Sequence, residues 1–219
     1  PEWGSGGPEF ESRRPDHFDD RGRRVKDAMS NVVQVGLIGC GTVGTGVARA
    51  LIDKGHFLEE RIGTRIALKW ICDHKPPKRL KLPPSRSTKF TKDAQAILDD
   101  PAVQIIVELI GGLHPAKEII TAALRSGKHV VTANKALLAD SGHELFALAN
   151  RSGVDLFFEA SVGGGIPIIK SLRESLLANE FNAILGIVNG TSNYILTQMQ
   201  EKRLSFHEAL LEAKHHGYA

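Results

Sequence analysis

The stretch VGLIGCGTVGTGVARAL, residues 35–51, constrains this chain more than any other. The run NVVQVGLIG from residue 31 is short, apolar and rich in β-branched and leucine side chains, so it reads as a buried strand. It runs into Gly39, Gly41 and Gly44 in the spacing G-x-G-x-x-G. Beyond them the apolar residues recur at helical intervals as far as Gly55, read here as the helix stop. At such a junction the three glycines have separate uses. The first permits a tight turn, the second lets backbone approach a pyrophosphate, and the third lets the helix pack closely on the strand. Backbone N–H groups and the positive end of the helix dipole then face the phosphates. The glycine pattern by itself signals no more than a turn. Its position between strand and helix, followed by a second strand RIALKWICD ending at Asp73, makes it a dinucleotide-site signature.

The rest of the chain alternates in the same way. DAQAILDDP reads as a short helix with Asp93 as N-cap and Pro101 as stop. VQIIVELIG is a third buried strand, and HPAKEIITAALRSG a helix with Pro115 in its first turn and Gly127 past its end. KHVVTAN is a strand, HELFALANRSG a helix and VDLFFEAS one more strand. Alternation with short links predicts an α/β fold, a doubly wound, Rossmann-type parallel sheet with helices on both faces. Farther on, PIIKSLRESLLANE reads as an amphipathic helix. FNAILGIVNGTSNYILTQMQ reads as a strand, a turn and a helix start. SFHEALLEAKHHGYA reads as a helix with a capping box from Ser205 to Glu208. His215 and His216 are adjacent, so they point in different directions on a helix and read as exposed helix-end residues.

Bulk properties exclude several classes. Charged residues are 24% of the chain and the net charge is +3, with no block of like charge, which argues against nucleic acid and membrane surfaces as partners. Cys40 and Cys72 are far apart in sequence and in no metal-ligand spacing, consistent with a reducing, cytoplasmic setting. No apolar run is long enough to span a membrane. Residues 1–30 mix charge, Gly and turn formers without period and are expected to be a disordered tail. The first methionine is Met29, just before the first strand, and residues 1–28 read as upstream sequence, with a natural flexible tail as the alternative. Deleting them is expected to leave folding and binding unchanged.

Candidate site residues follow from strand ends. Asp73 stands where an acid would bond the adenosine ribose hydroxyls, somewhat farther along than the usual ~20 residues. His74, Lys75 and Lys78 follow it and would suit the extra phosphate of NADP, so cofactor choice stays open. ELIGGLHPAKE (108–118) places Gly111 and Gly112 at a strand end, and HVVTANKALLA (129–139) places Thr132, Asn134 and Lys135 at the next. FEASVGGGIPIIKSLRESL (158–176) has three glycines before a proline and cannot continue a ladder. Its unpaired carbonyls would suit a hard cation, or the loop is a plain glycine linker.

Taken in order with GIVNGTSNYILTQM (186–199), these motifs resemble homoserine dehydrogenase from about Val32 to Ala219. That family interconverts L-aspartate 4-semialdehyde and L-homoserine with NAD(P), a step of threonine, methionine and isoleucine biosynthesis. The resemblance implies that Gly39, Gly41, Thr42, Val43 and Gly44 hold the cofactor diphosphate. It implies that Ile110, Gly111, Gly112 and Thr132 pass beside the cofactor. Lys135 matches the family lysine near nicotinamide and substrate, where an ammonium would polarise the aldehyde oxygen. Main-chain oxygens of Glu159, Val162, Gly164 and Ile166 match a monovalent-cation site, usually sodium. Asn189, Gly190, Thr191 and Asn193, in the NGTSNYI turn, would line the substrate side of the nicotinamide, and Gly217 matches a glycine that contacts homoserine.

The family pattern continues past Ala219 with an acid, an Asp-rich loop and a proton-donor lysine. The chain therefore reads as a tail (1–30), an NAD(P)-binding domain (31–158) and the start of an α+β catalytic domain (159–219). Cofactor binding without useful turnover is expected, with a homodimer for the full-length protein and a small-molecule substrate. Two other readings stay open: another oxidoreductase of the same architecture, or a non-catalytic nucleotide-binding module.

Overall fold

The computed structural model describes residues 32–75 and 88–217. The expected tail, the Pro- and Lys-rich loop and Lys78 lie outside the described residues. Six strands form one sheet: β1 Val32–Ile38, β2 Arg65–Cys72, β3 Lys89–Thr91, β4 Val103–Glu108, β5 His129–Thr132 and β6 Leu156–Phe157. Every pairing is parallel and the order is β3-β2-β1-β4-β5-β6. This is the doubly wound arrangement the alternation predicts, with the order reversing between β1 and β4.

The central strands are apolar because both faces are covered. On one face Ile38, Ile106 and Val130 pack with Ile97 and Leu98 of α3 (Gln95–Leu98), Ile120 and Leu124 of α4 (Ala116–Arg125), and Leu137 and Leu145 of α5 (Lys135–Ser152). On the other, Val35, Leu37 and Ile71 pack with Ala48 and Ile52 of α1 (Thr42–Asp53). Gly36, in the middle of β1, is a packing glycine that no sequence pattern marks. A methyl there would overlap Cγ2 of buried Ile97.

Several elements differ from expectation. Gly55 does not stop the first helix. Lys54 ends α1, and Gly55 opens a separate helix, α2 (Gly55–Ile62). The edge strand β3 is not expected from sequence; it is short and half exposed, so its periodicity is weak. The helix after β5 starts at Lys135 rather than His143, because the Asn134 side chain accepts from Leu137 N–H and caps it. β6 stops at Phe157, and Glu159–Ser161 turns as a 3₁₀ helix.

Beyond residue 158 only helices occur among the described residues: α6 (Ile168–Lys170) running into a wide turn at Ser171–Ser175, α7 (Gly190–Glu201) and α8 (Phe206–His215). The strand expected before the NGTSNYI motif does not form. Ile184, Leu185, Ile187 and Val188 are exposed and pair with nothing, since a lone strand has no ladder to satisfy its backbone. The NGTSNYI residues are not a turn but the start of α7, with the Asn189 side chain accepting from Ser192 N–H. α7 and α8 pack on each other around Ile195, Ala209 and Ala213, a core separate from those of the sheet. The Ser205–Glu208 capping box opens α8 as expected.

Candidate dinucleotide and substrate site

The glycine loop lies at the carboxyl end of β1, where the strand order reverses. Its three glycines meet three different surroundings. Gly39 has φ of 93°, and a Cβ there would come within 2.6 to 2.9 Å of the Leu109 and Ile110 backbone. The loop after β4 therefore lies directly against the glycine loop, held also by Leu109 N–H donating to Ile38 O at 2.8 Å. A methyl on Gly44 would overlap the carbonyl oxygen of Gly39. Gly41, the N-cap of α1, faces open space, with no heavy atom within 4 Å of a Cβ built on it. That cradle, at the positive end of a twelve-residue helix, fits a diphosphate, and Thr42 and Val43 are exposed beside it.

Asp73 follows β2 and reaches back to the loop. Its Oδ2 accepts from Cys40 N–H at 2.6 Å and its Oδ1 from Lys75 N–H at 3.1 Å. The carboxylate is thus fixed at the strand end, and His74 and Lys75 are exposed beyond it. Cys40 and Cys72 are free and buried, and they belong to the cores on opposite faces of the sheet. Burial is the main cause that pushes both thiols up.

The second half of the sheet carries a connected network. Gly111 and Gly112 both sit at positive φ, 80° and 72°, and with Ile110 form an exposed loop. Glu108, the last residue of β4, is fully buried. Its Oε1 accepts from Ile110 N–H at 2.7 Å and Gly111 N–H at 3.3 Å. Its Oε2 accepts from the Thr132 hydroxyl at 2.7 Å. The same hydroxyl accepts from Asn134 N–H at 3.0 Å, and Asn134 Nδ2 donates to Gly112 O at 2.7 Å. Lys135 follows at once, exposed in the first turn of α5. Sequence reasoning places Thr132, Asn134 and Lys135 here but misses Glu108. The available signal is a lone acid closing an otherwise apolar strand.

The loop after β6 is organised differently from expectation. The Glu159 carboxylate accepts from Ile169 N–H at 3.0 Å and Lys170 N–H at 2.8 Å, so it caps α6. The Glu159 carbonyl accepts from Val162 N–H and the Ile166 carbonyl from Ile168 N–H, while Gly163 and Gly164 hold positive φ. Ser161 Oγ donates to Thr132 O at 3.1 Å and ties this loop to β5. Gly190 and Thr191 stand in the first turn of α7 and Gly217 just past α8, in the separate helical unit rather than in the Glu108 network. His215 and His216 are exposed at the end of α8. Among the described residues no group of three His, Cys, Asp or Glu could hold a metal, and no helix is long and apolar enough to cross a membrane.

Sheet order, glycine loop and strand-end acid together define a dinucleotide-binding domain of the Rossmann class. Residues 39–159 match the family model described as homoserine dehydrogenase, NAD binding domain, and residues 167–219 match the model described as homoserine dehydrogenase. The chain belongs to the homoserine dehydrogenase family. It is 46% identical over 187 residues to the homoserine dehydrogenase of Neisseria gonorrhoeae, a match that spans 85% of this chain and 42% of that protein. Against the Bacillus subtilis enzyme it is 41% identical, over 85% of this chain and 43% of the relative. A crystal structure of a homoserine dehydrogenase from Thiobacillus denitrificans superposes with a TM-score of 0.78 at 44% identity, covering 87% of this chain and 44% of that one. A hyperthermophilic archaeal homoserine dehydrogenase in complex with NADPH superposes at 0.69 with 26% identity, covering 85% of this chain and 62% of that one. The chain thus spans about two-fifths of the length of the curated relatives it matches.

Proposed function

We propose that this chain is the cofactor-binding portion of an enzyme that interconverts L-aspartate 4-semialdehyde and L-homoserine with NAD(P). The observation that carries the reading is the cradle at Gly41, open where Gly39 and Gly44 are closed, at the switch point of a six-stranded parallel sheet. Asp73 would hold the adenosine half of a dinucleotide and Ile110–Gly112 the nicotinamide half. Thr132, expected beside the cofactor, is 0% exposed and would act from beneath the site through its bonds to Glu108 and Asn134. Bound nicotinamide supplies or accepts the hydride. The chain's own part is orientation and electrostatics. Lys135 and the positive end of α5 act in the same sense on an oxygen that gains negative charge. The substrate side is completed by Gly190, Thr191 and Gly217 once the catalytic segment, begun at residue 159, is in place.

The main-chain oxygens of Glu159, Val162, Gly164 and Ile166 would hold a monovalent cation such as sodium. The hydrogen bonds to the Glu159 and Ile166 carbonyls leave each oxygen a second lone pair for it. A dimeric full-length protein in the cytoplasm is consistent with this reading.

Titration of the chain with NADH and NADPH, followed by nicotinamide fluorescence, tests the function. Saturable binding of either supports it; a folded chain that binds neither would sink it. The fixed Asp73 carboxylate opposes a 2′-phosphate, so NADH is expected to bind more tightly. Asp73→Ser should shift the NADH-to-NADPH preference by about tenfold toward NADPH, the effect of roughly 1.4 kcal/mol. An unchanged ratio would show that Asp73 does not set cofactor choice.

A further inference from the structure

Glu108 ties the loop after β4 to β5 in the second half-site. It is 0% exposed, and all three of its partners are donors: two loop amides and the Thr132 hydroxyl. The hydroxyl accepts from Asn134 N–H with one of its two lone pairs and donates its hydrogen to Glu108. A carboxylate satisfies this set, whereas an amide does not. A glutamine would accept from the loop and leave the Thr132 hydrogen without an acceptor, or accept from Thr132 and leave the loop amides unmet. A buried carboxylate is costly without such partners, so the arrangement is specific to this residue type.

What Glu108 holds is exposed and adjacent to the cradle. Ile110 is 41% exposed, Gly111 and Gly112 are exposed, and the Leu109–Ile110 backbone touches Gly39. Through Thr132 and Asn134 the same carboxylate fixes the cap of α5, whose first residue is Lys135. In a doubly wound sheet the first mononucleotide half lies over β1–β3 and the second over β4–β6.

We propose that Glu108 is the positioning residue of the nicotinamide half-site. It sets the loop 110–112 and the Lys135 end of α5 in one frame without touching the cofactor. This rests on the dinucleotide reading above.

The test compares two ligands on the wild-type chain and Glu108→Gln: NADH by fluorescence and ADP-ribose, which lacks nicotinamide, by calorimetry. Glu108→Gln is expected to weaken NADH about tenfold, as when a hydrogen bond to a charged group is lost, and to leave ADP-ribose within about twofold. Exchange of the Ile110 and Gly111 amide hydrogens should quicken. Thr132→Val, which breaks the other oxygen's link, should give the same pattern with smaller loss and guards against a Glu108→Gln chain that fails to fold. Unchanged NADH affinity overturns the proposal. Parallel loss of both ligands also overturns it, because that is the mark of a support for the whole fold. A wild-type chain that binds neither ligand overturns the dinucleotide reading itself.

Discussion

Gly44→Ala is expected to destabilise the chain by about 3 kcal/mol or more and to abolish dinucleotide binding, because the methyl has no way to avoid the Gly39 carbonyl. Both atoms are backbone-fixed, so relief requires lifting α1 off β1 and disturbing the core at Ala48 and Ile52. Gly41→Ala separates the two consequences. Its methyl enters open space, so the unfolding midpoint should move little, while the diphosphate loses its closest approach and binding should fall at least tenfold. Urea unfolding and an NADH titration of both variants provide the check. A Gly41→Ala chain that binds normally would show that no diphosphate lies over residue 41. A Gly44→Ala chain of wild-type stability would show that α1 does not pack this closely on the glycine loop.

Asp100→Ala is the second large effect, and it acts away from the cofactor. Asp100 Oδ1 accepts from Lys69 Nζ at 3.1 Å and Ala102 N–H at 3.0 Å, and Oδ2 accepts from Trp70 Nε1 at 2.7 Å. Beside it, Lys128, 5% exposed, donates to the carbonyls of Asp100 and Val103, and burial pushes its ammonium down. Removing the carboxylate leaves an indole N–H and a half-buried ammonium without their acceptor, a loss of about 2–3 kcal/mol by urea unfolding. Cofactor affinity should stay as it was.

The same group sets a pH dependence. The Lys69 and Trp70 hydrogen bonds hold the Asp100 carboxyl at about 2, well below the usual 3.8. A depressed carboxylate stabilises the fold above its ordinary range and loses that contribution as pH falls through its folded value. Between pH 4 and 2 the wild type should therefore lose on the order of 1 kcal/mol more stability than Asp100→Asn, after allowance for solvent screening. Parallel acid-unfolding curves would remove Asp100 from the account.

The local order of the nucleotide domain is legible in the residues themselves. Strand and helix differ in hydrophobic period, and G-x-G-x-x-G marks their junction, so the amino-acid order alone places β1, α1, the glycine loop and Asp73. The Ser205–Glu208 cap is equally local, since donor and acceptor lie within one turn. Signals without a period stay hidden. The edge strand β3 has no buried face to pattern it, and α2 follows α1 with only Lys54 between.

Other features depend on partners remote in sequence. The residues 184–188 have strand composition yet form none, because a strand exists only beside another and nothing pairs with them. Gly36 reads as an ordinary strand residue until α3 brings Ile97 against it. Glu108 reads as the polar end of an apolar run. Only the closing of β4 against β5 brings the Thr132 hydroxyl to one of its oxygens, while the turn of its own loop brings amides to the other. Sequence determined where the cofactor loop lies because that signal is chemical and local. Tertiary structure decided which buried group ties the second half-site together, because hydrogen bonds between strands join residues that the chain keeps far apart.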